Sequence, residues 1–303
     1  MAGNWALSRR RGALVQRGAI FDRVRGFFQE KGYLEVETPF RIPAPAPEAQ
    51  IDAVASAGWF LQTSPELCMK RMLAAGYDSI FQICRCWREG ERGTRHLSEF
   101  TMLEWYRAGA DYLSLMEETE ALVGAAAAVP RIVYRGRSVE LTSPWERITV
   151  ADAFRLHAGT TPQQALAAGT FDEIMVEQIE PRLGLTRPTF IYDYPACCGA
   201  LARLKEGDPS VAERFELYIG GLEIANAFSE LTDPREQRSR FEAEAAERSK
   251  QGKAPYPVPE KFLESLAGMP ESAGIALGLD RLVMVLLDAE TIDEVVAFTT
   301  EEL

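Results

Sequence analysis

Apolar positions Leu14, Ile20, Phe21, Val24, Phe27 and Phe28 recur at helical spacing between residues 8 and 32, with Gly32 where a C-terminal cap belongs. A long amphipathic helix is expected to open the chain. Residues 33–40 read as a strand ending in Thr38-Pro39, and 42–48 alternate proline with alanine as an extended loop. A short strand is expected at 59–62. Ser64-Pro65-Glu66 then reads as a helix start, with Ser64 as the N-cap and Pro65 at the first helical position.

Residues 80–88 and 99–107 are two strands of a hairpin whose connecting loop, 89–98, is rich in charge and glycine. A helix over 111–129 and a small hairpin over 131–141, turning at Arg135-Gly136, follow. Short helical patterns dominate 149–185. Gly220-Gly221 separates 211–219 from 222–230 as a tight hairpin turn, and a helix is expected over 233–251. Residues 274–279 are a short apolar strand that runs directly into a helix at 281–287. Strands joined mostly by hairpins, with helices gathered elsewhere, predict an α+β protein with an antiparallel sheet.

Period-two alternation places Phe100, Met102, Glu104 and Tyr106 on one strand face, an acid among apolar and aromatic neighbours. Arg88 lies near the level of Phe100, so a guanidinium and a ring meet at the loop mouth, a grip suited to a nucleotide. A half-exposed sheet with a surface ion pair is the alternative. With the glycines at the turn, Tyr218 pairs with Glu223, and Glu216 stands diagonally from Glu223 on the same face. Two close carboxylates need a cation between them, and Mg²⁺ suits a few carboxylates plus phosphates. Strict alternation puts Asn226, Phe228 and Glu230 on the opposite face; a β-bulge near Ile224 or Ala225 would unite the two sets. Otherwise both carboxylates face solvent. Gly278-Leu279-Asp280-Arg281 puts an arginine on the first turn of a helix, where the dipole disfavours it unless an anion is present.

Composition narrows the field. The chain has 303 residues, 47% apolar and 26% charged, enough for one large catalytic-sized domain. A formal net charge of -12 favours cationic substrates and basic partners over nucleic acid. The arginines of the first helix (Arg9, Arg10, Arg11, Arg17, Arg23 and Arg25) read as a solvated face. No apolar run of membrane-spanning or signal-peptide length occurs, so a cytoplasmic protein is expected. The five cysteines show no C-x-x-C pairing; Cys84, Cys86, Cys197 and Cys198 read as packing residues.

The segments GYLEVETPF (32–40), FQICRCWREGERGTRHLSEFTMLEWY (81–106) and GIALGLDRL (274–282) stand in the order of three class II aminoacyl-tRNA synthetase signatures. With RFELYIGGLEIANAFSELTD (214–233) between the last two, essentially the whole chain resembles the lysine-type catalytic domain of that class. No anticodon-binding barrel is expected ahead of this domain, and Ala276 stands where lysine-type synthetases carry glycine. In this the chain is similar to the shorter synthetase paralogues that attach (R)-β-lysine to a lysine of elongation factor P. A single domain over 1–303 is the expectation.

The resemblance implies a role for each matching position. Arg88 would hold the α-phosphate of ATP, Phe100 would stack on adenine, Arg281 would reach the γ-phosphate, and His96, Ile224 and Gly278 would adjoin the nucleotide. Glu216 and Glu223 would bind Mg²⁺, Glu223 also touching ATP. Glu66 would meet the substrate amino group near its carboxylate, with Ser64 and Pro65 also in the substrate site. Glu104, Tyr106 and Glu230 would hold its ε-ammonium beside Phe228 and Ala276, and Asn226 would orient the carboxylate. Two departures stand out: Glu89-Gly90-Glu91 displaces the glutamate that reads adenine to Glu89 or Glu91, and Leu97 replaces an ATP-contacting asparagine. The implied enzyme forms an aminoacyl-adenylate from lysine or (R)-β-lysine, transfers it to elongation factor P, and works as a homodimer. Charging of tRNA, or a silent amino-acid sensor, are the alternatives.

Overall fold

The computed structural model describes residues 5–303, so the first four residues of the expected domain lie outside it. The opening helix spans Trp5–Glu30. Its end closes as the Gly32 signal requires: Gly32 has φ 76°, its N–H donates to the Gln29 carbonyl at 3.0 Å, and the Tyr33 N–H donates to Phe28 at 2.9 Å. The Phe28 and Tyr33 rings then meet at 5.1 Å, the apolar contact that accompanies this cap.

A nine-stranded sheet forms the body. Leu34–Glu35, Ser79–Trp87, Glu99–Ala108, Ser272–Gly278, Leu222–Ser229, Asp208–Ile219, Thr189–Pro195 and Glu146–Thr149 are neighbours in that order, and Leu204–Lys205 pairs with Asp208–Ile219. The sheet is antiparallel through its centre but parallel at both ends, where Leu34–Glu35 joins Ser79–Trp87 and Glu146–Thr149 joins Thr189–Pro195. It is therefore mixed rather than purely antiparallel. The strand expected at 33–40 shrinks to Leu34–Glu35, and its last bond to the neighbouring strand is the Val36 N–H to the Phe81 carbonyl at 2.9 Å, before Pro39 removes a donor. The two strands at the far end carry no clear alternation, and the sequence pattern missed them.

Alternation divides the sheet into two faces. Leu103, Trp105, Ile275, Leu277, Ala225, Ala227, Phe215 and Leu217 enter one core with Ile20, Val24 and Phe28 of the first helix and with the helices Tyr112–Ala127 and Leu279–Leu286. On the other face, Ile80, Tyr106 and Phe228 pack with the helices Glu66–Ala74, Pro234–Lys250 and Glu260–Leu266. That second face carries the chemistry.

Some first-helix arginines are anchors rather than a solvated face. Arg10 pairs with Glu302 at 2.7 Å, Arg25 with Glu35 at 2.9 Å, and Arg23 donates to the Ala126 carbonyl at 2.8 Å. Arg17 reaches Asp280 at 2.5 Å. Among the cysteines, Cys84 and Cys86 are buried as expected, but Cys197 is exposed and Cys198 half-buried on a short turn, so that pair is not core.

The Gly220-Gly221 turn has φ 63° and 74° and is itself capped: the Gly220 N–H donates to the Gly184 carbonyl at 2.7 Å. A Cβ on Gly184, at φ 70°, would lie 2.3 Å from the Tyr218 carbonyl oxygen. Gly184→Ala is expected to destabilise the protein by roughly 2–4 kcal/mol in urea unfolding, combining left-handed strain with a backbone clash. Gly252→Ala, at φ 75° with open space around it, should cost only about 1–2 kcal/mol. Equal losses would show that the clash is relieved.

Candidate active site

The central registers lay the site out in rows. Gln82, Glu104, Ala276, Asn226 and Glu216 are successive partners across four strand pairs, and Tyr106, Gly274, Phe228 and Arg214 form the next row. Between Leu217 and Tyr218 the register shifts: Leu217 pairs with Ala225 but Tyr218 with Glu223, leaving Ile224 as the extra residue. This is the bulge the sequence called for. It turns Glu223 and Asn226 to the same face.

Two adjoining cavities open on that face. One, of about 200 Å³, is lined among others by Arg88, Glu91, His96, Phe100, Glu223 and Arg281, together with Ile224, Gly278 and Leu97. The other, of about 90 Å³, is lined by Ser64, Glu66, Glu104, Tyr106, Phe228 and Gly274 among others. Glu48, Arg88, Met102, Asn226 and Ala276 line both. Pro65, Glu89, Glu216 and Glu230 line neither.

Arg88 is the hinge of the first cavity. Its guanidinium carbon lies 5.2 Å from the Phe100 ring centre, and its backbone N–H donates to Ser98 at 2.9 Å. Its Nε is buried without a partner, an unspent donor. Glu91, 3.8 Å from Arg88, faces this cavity while Glu89 is exposed. Arg281 donates to the Glu223 carboxylate at 3.2 Å and lies 2.5 Å from His96 Nε2. Burial and the Arg281 charge lower the His96 pKa, which favours the neutral ring. The protein's own packing does not require glycine at 278, since a Cβ there would make only ordinary contact with Arg281 at 3.5 Å. Behind this group Asp280 accepts the Thr101 N–H at 2.7 Å and pairs with Arg17, tying the first helix to the strand that carries Phe100.

The second cavity is an acidic pocket. Glu104, fully buried, accepts the Ser64 hydroxyl at 2.5 Å and the Tyr106 hydroxyl at 2.7 Å. Burial and the Glu66 charge push its carboxyl up to about 8. The same Ser64 hydroxyl accepts the Glu66 N–H at 3.1 Å, so Ser64 caps the helix although Pro65 occupies the formal cap position. Glu230 sits beneath the cavity because Lys70, buried on that helix, takes it at 2.6 Å and Glu66 at 3.3 Å. Burial opposes the Lys70 charge, but Glu230 and Glu66 raise its pKa, and the ammonium persists. Helical spacing sets Lys70 on the buried face with Leu67, Met69 and Leu73; only its place against the sheet reveals its partner Glu230.

Two further residues escaped the sequence. Arg214 donates to Asn226 at 3.0 Å and to Glu216 at 2.6 Å, fixing both. Gly274 opens the pocket: a Cβ there would lie 2.2 Å from the Tyr106 ring and 2.4 Å from Glu230 Oε1.

Glu216 also accepts the Tyr218 hydroxyl at 2.8 Å. Burial and Glu223 raise its pKa although Arg214 opposes, and nearby Glu180 is pushed up to about 7 by burial, Glu216 and Glu223. Such an excess of negative charge, offered through oxygen donors, fits a hard cation. Among the described residues no group of three or more His, Cys, Asp and Glu is arranged to hold a metal.

A family model described as tRNA synthetases class II (D, K and N) matches residues 6–302. Among curated proteins, the chain is 38% identical to the elongation factor P-(R)-beta-lysine ligase of Erwinia tasmaniensis, over 98% of each chain. It is 37% identical to those of Salmonella paratyphi A and Salmonella dublin, over 95% of each chain.

Glu104 titrates high, so it favours folding below the ordinary carboxylate range and loses that contribution as pH rises toward about 8. Glu104→Gln is therefore expected to be more stable than the parent, by a margin that grows from pH 5 and levels off above pH 8 at roughly 2–4 kcal/mol. Urea titrations across that range check it; a pH-independent gap would contradict the buried acid.

Proposed function

This chain belongs to the class II tRNA synthetase family, and from that premise we propose that it activates (R)-β-lysine or lysine with ATP and transfers it to a lysine side chain of elongation factor P. It is an ATP-dependent amino acid ligase. The observation that carries the reading is Arg88, whose unpartnered buried Nε stands where a cavity with an arginine over an aromatic ring opens into an acidic, amine-sized pocket. Relatives matched almost end to end bear elongation factor P in their names, which favours a protein acceptor over tRNA.

ATP lies in the larger cavity, with adenine on Phe100 beside Glu91 and its phosphates toward Arg281 and His96. The amino acid lies in the smaller one, its ε-ammonium against Glu104 and Tyr106 with Glu230 behind, its other amino group toward Glu66. Asn226, held by Arg214, orients its carboxylate. A carboxylate oxygen attacks the α-phosphorus, the bond to the bridging oxygen breaks and pyrophosphate leaves. The acceptor amine then attacks the carbonyl carbon, and AMP departs with the mixed-anhydride oxygen. Arg88 and Arg281 stabilise charge that develops on phosphate, and positioning supplies much of the remainder. Glu216 and Glu223 would hold Mg²⁺, which when bound neutralises phosphate charge.

The reading extends to a cytoplasmic homodimer. Leu34 and Phe40 of the GYLEVETPF segment are large apolar side chains left exposed, and no helix among the described residues is long and apolar enough to cross a membrane.

ATP-pyrophosphate exchange with lysine and β-lysine tests activation, and transfer of label to elongation factor P or to tRNA tests the acceptor. Exchange with no amino acid would sink the reading, and label on tRNA alone would reassign the acceptor. Arg88→Ala is expected to lower exchange on the order of 10²–10³-fold. Glu104→Gln should raise the KM for lysine more than about tenfold, since a buried charge-assisted partner is lost.

A further inference from the structure

The transfer step requires a base. A lysine ammonium has an ordinary pKa of about 10.4 and cannot attack a carbonyl until it has lost a proton. The acids and the imidazole that line the two cavities are nearly all committed. Glu91 faces Arg88 at 3.8 Å, Glu223 holds Arg281 at 3.2 Å, Asp280 holds Arg17 at 2.5 Å, and Glu66 holds Lys70 at 3.3 Å. Glu104 accepts from Ser64 and Tyr106, and His96 is pressed against the Arg281 guanidinium at 2.5 Å. Tyr106 is kept in its neutral form by burial and by Glu104.

Glu48 is different. It lies on the loop between the short strands Arg41–Ile42 and Ala55–Ser56 and lines both cavities, beside Arg88 and Asn226, where the α-phosphate and the amino-acid carboxylate must meet. Its backbone is pinned from the helix Pro234–Lys250: Arg248 donates to the Glu48 carbonyl at 3.0 Å and to the Ile51 carbonyl at 3.0 Å, and Glu244 accepts the Ala49 N–H at 2.7 Å. Among the described residues its half-buried carboxylate takes part in none of the hydrogen bonds or ion pairs that organise the site. A loop this firmly held around an uncommitted acid is a preorganised base.

We propose that Glu48 is the general base of aminoacyl transfer, taking the proton from the acceptor amine as that amine attacks the activated carbonyl. The nitrogen–carbon bond forms, the carbon–oxygen bond to the adenylate phosphate breaks, AMP leaves, and the proton resides on Glu48 until solvent removes it. The charged groups that face Glu48 are Glu66, Glu244, Arg88 and Arg214. Burial and then Glu66 push its carboxyl up to about 7 against the two arginines, which suits a group that must both accept and release a proton near neutrality. This assignment rests on the acceptor reading above.

The test separates the two half-reactions. Full-length wild-type and Glu48→Gln enzymes are compared in ATP-pyrophosphate exchange with lysine or β-lysine, and in single-turnover transfer from preformed adenylate to elongation factor P. The ratio of transfer to exchange rate is expected to fall on the order of 10²-fold or more in Glu48→Gln. The wild-type transfer rate should rise with pH through an apparent pKa near neutrality, and that rise should vanish in the variant. Glu48→Ala should be partly rescued by added formate or acetate. Equal loss of both rates, an effect confined to the KM for the amino acid, or no loss of transfer would each overturn the assignment. If Glu48→Gln fails to fold, the Glu48→Ala rescue decides it, absence of rescue counting against. Absence of wild-type exchange or transfer would instead overturn the proposed function, so the two failures are distinguishable.

Discussion

The geometry of the site depends on one surplus residue in one strand. Without the bulge at Ile224, the alternation that points Leu222, Ala225 and Ala227 into the helical core could not also aim both Glu223 and Asn226 at the opposite face. The bulge changes the parity of the strand after Glu223. Everything beyond it, Asn226 opposite Glu216 and Phe228 opposite Arg214, then falls into rows with Glu104 and Tyr106. The turn that sets this register is braced from outside by the backbone at Leu183 and Gly184, so the hairpin is gripped at its tip as well as along its length.

On that scaffold, charge is matched within the protein before any ligand arrives. Lys70 holds Glu66 and Glu230, Arg214 holds Glu216, Arg281 holds Glu223, and Arg17 holds Asp280. Buried charges without such partners would cost several kcal/mol each. The matching is incomplete in the places that face the cavities. Glu104 has only hydroxyl partners, Arg88 keeps an unused donor, and Glu48 is tied only through its backbone. These are the points at which a cationic amine, a phosphate and an incoming nucleophile would be expected to add what the protein leaves out. Small residues serve the same end: Gly274 is required because Tyr106 and Glu230 occupy the space of its missing side chain.

Much of this could be read along the chain because the relevant signals are local. Gly32 and Gly220-Gly221 specify their turns through φ, Asp111 and Asp233 cap their helices through side-chain acceptors, and Arg281 follows Gly278 directly at a strand-to-helix junction. The Phe100 to Tyr106 face follows from period two alone. Glu48, Lys70 and Arg214 could not be recognised in this way. Nothing in their neighbours distinguishes a half-buried loop acid and a strand arginine from solvated charges, and the apolar face that Lys70 shares with Leu67, Met69 and Leu73 does not name its partners.

Sequence by itself therefore determined the α+β class, the order of the signature segments, the turns, and the strand residues that share a face. It also pointed to the need for a bulge, because carboxylates separated by strict alternation could not otherwise serve one site. Tertiary structure alone decided that Glu230 is covered by Lys70, that Glu91 rather than Glu89 faces the larger cavity, that Arg17 is an anchor, and that Glu48 stands uncommitted at the junction. The physical reason is that a charge is defined by what surrounds it. Backbone periodicity reports which way a side chain points, whereas burial, pairing and proton affinity depend on groups far away in sequence that only folding brings within a few ångströms.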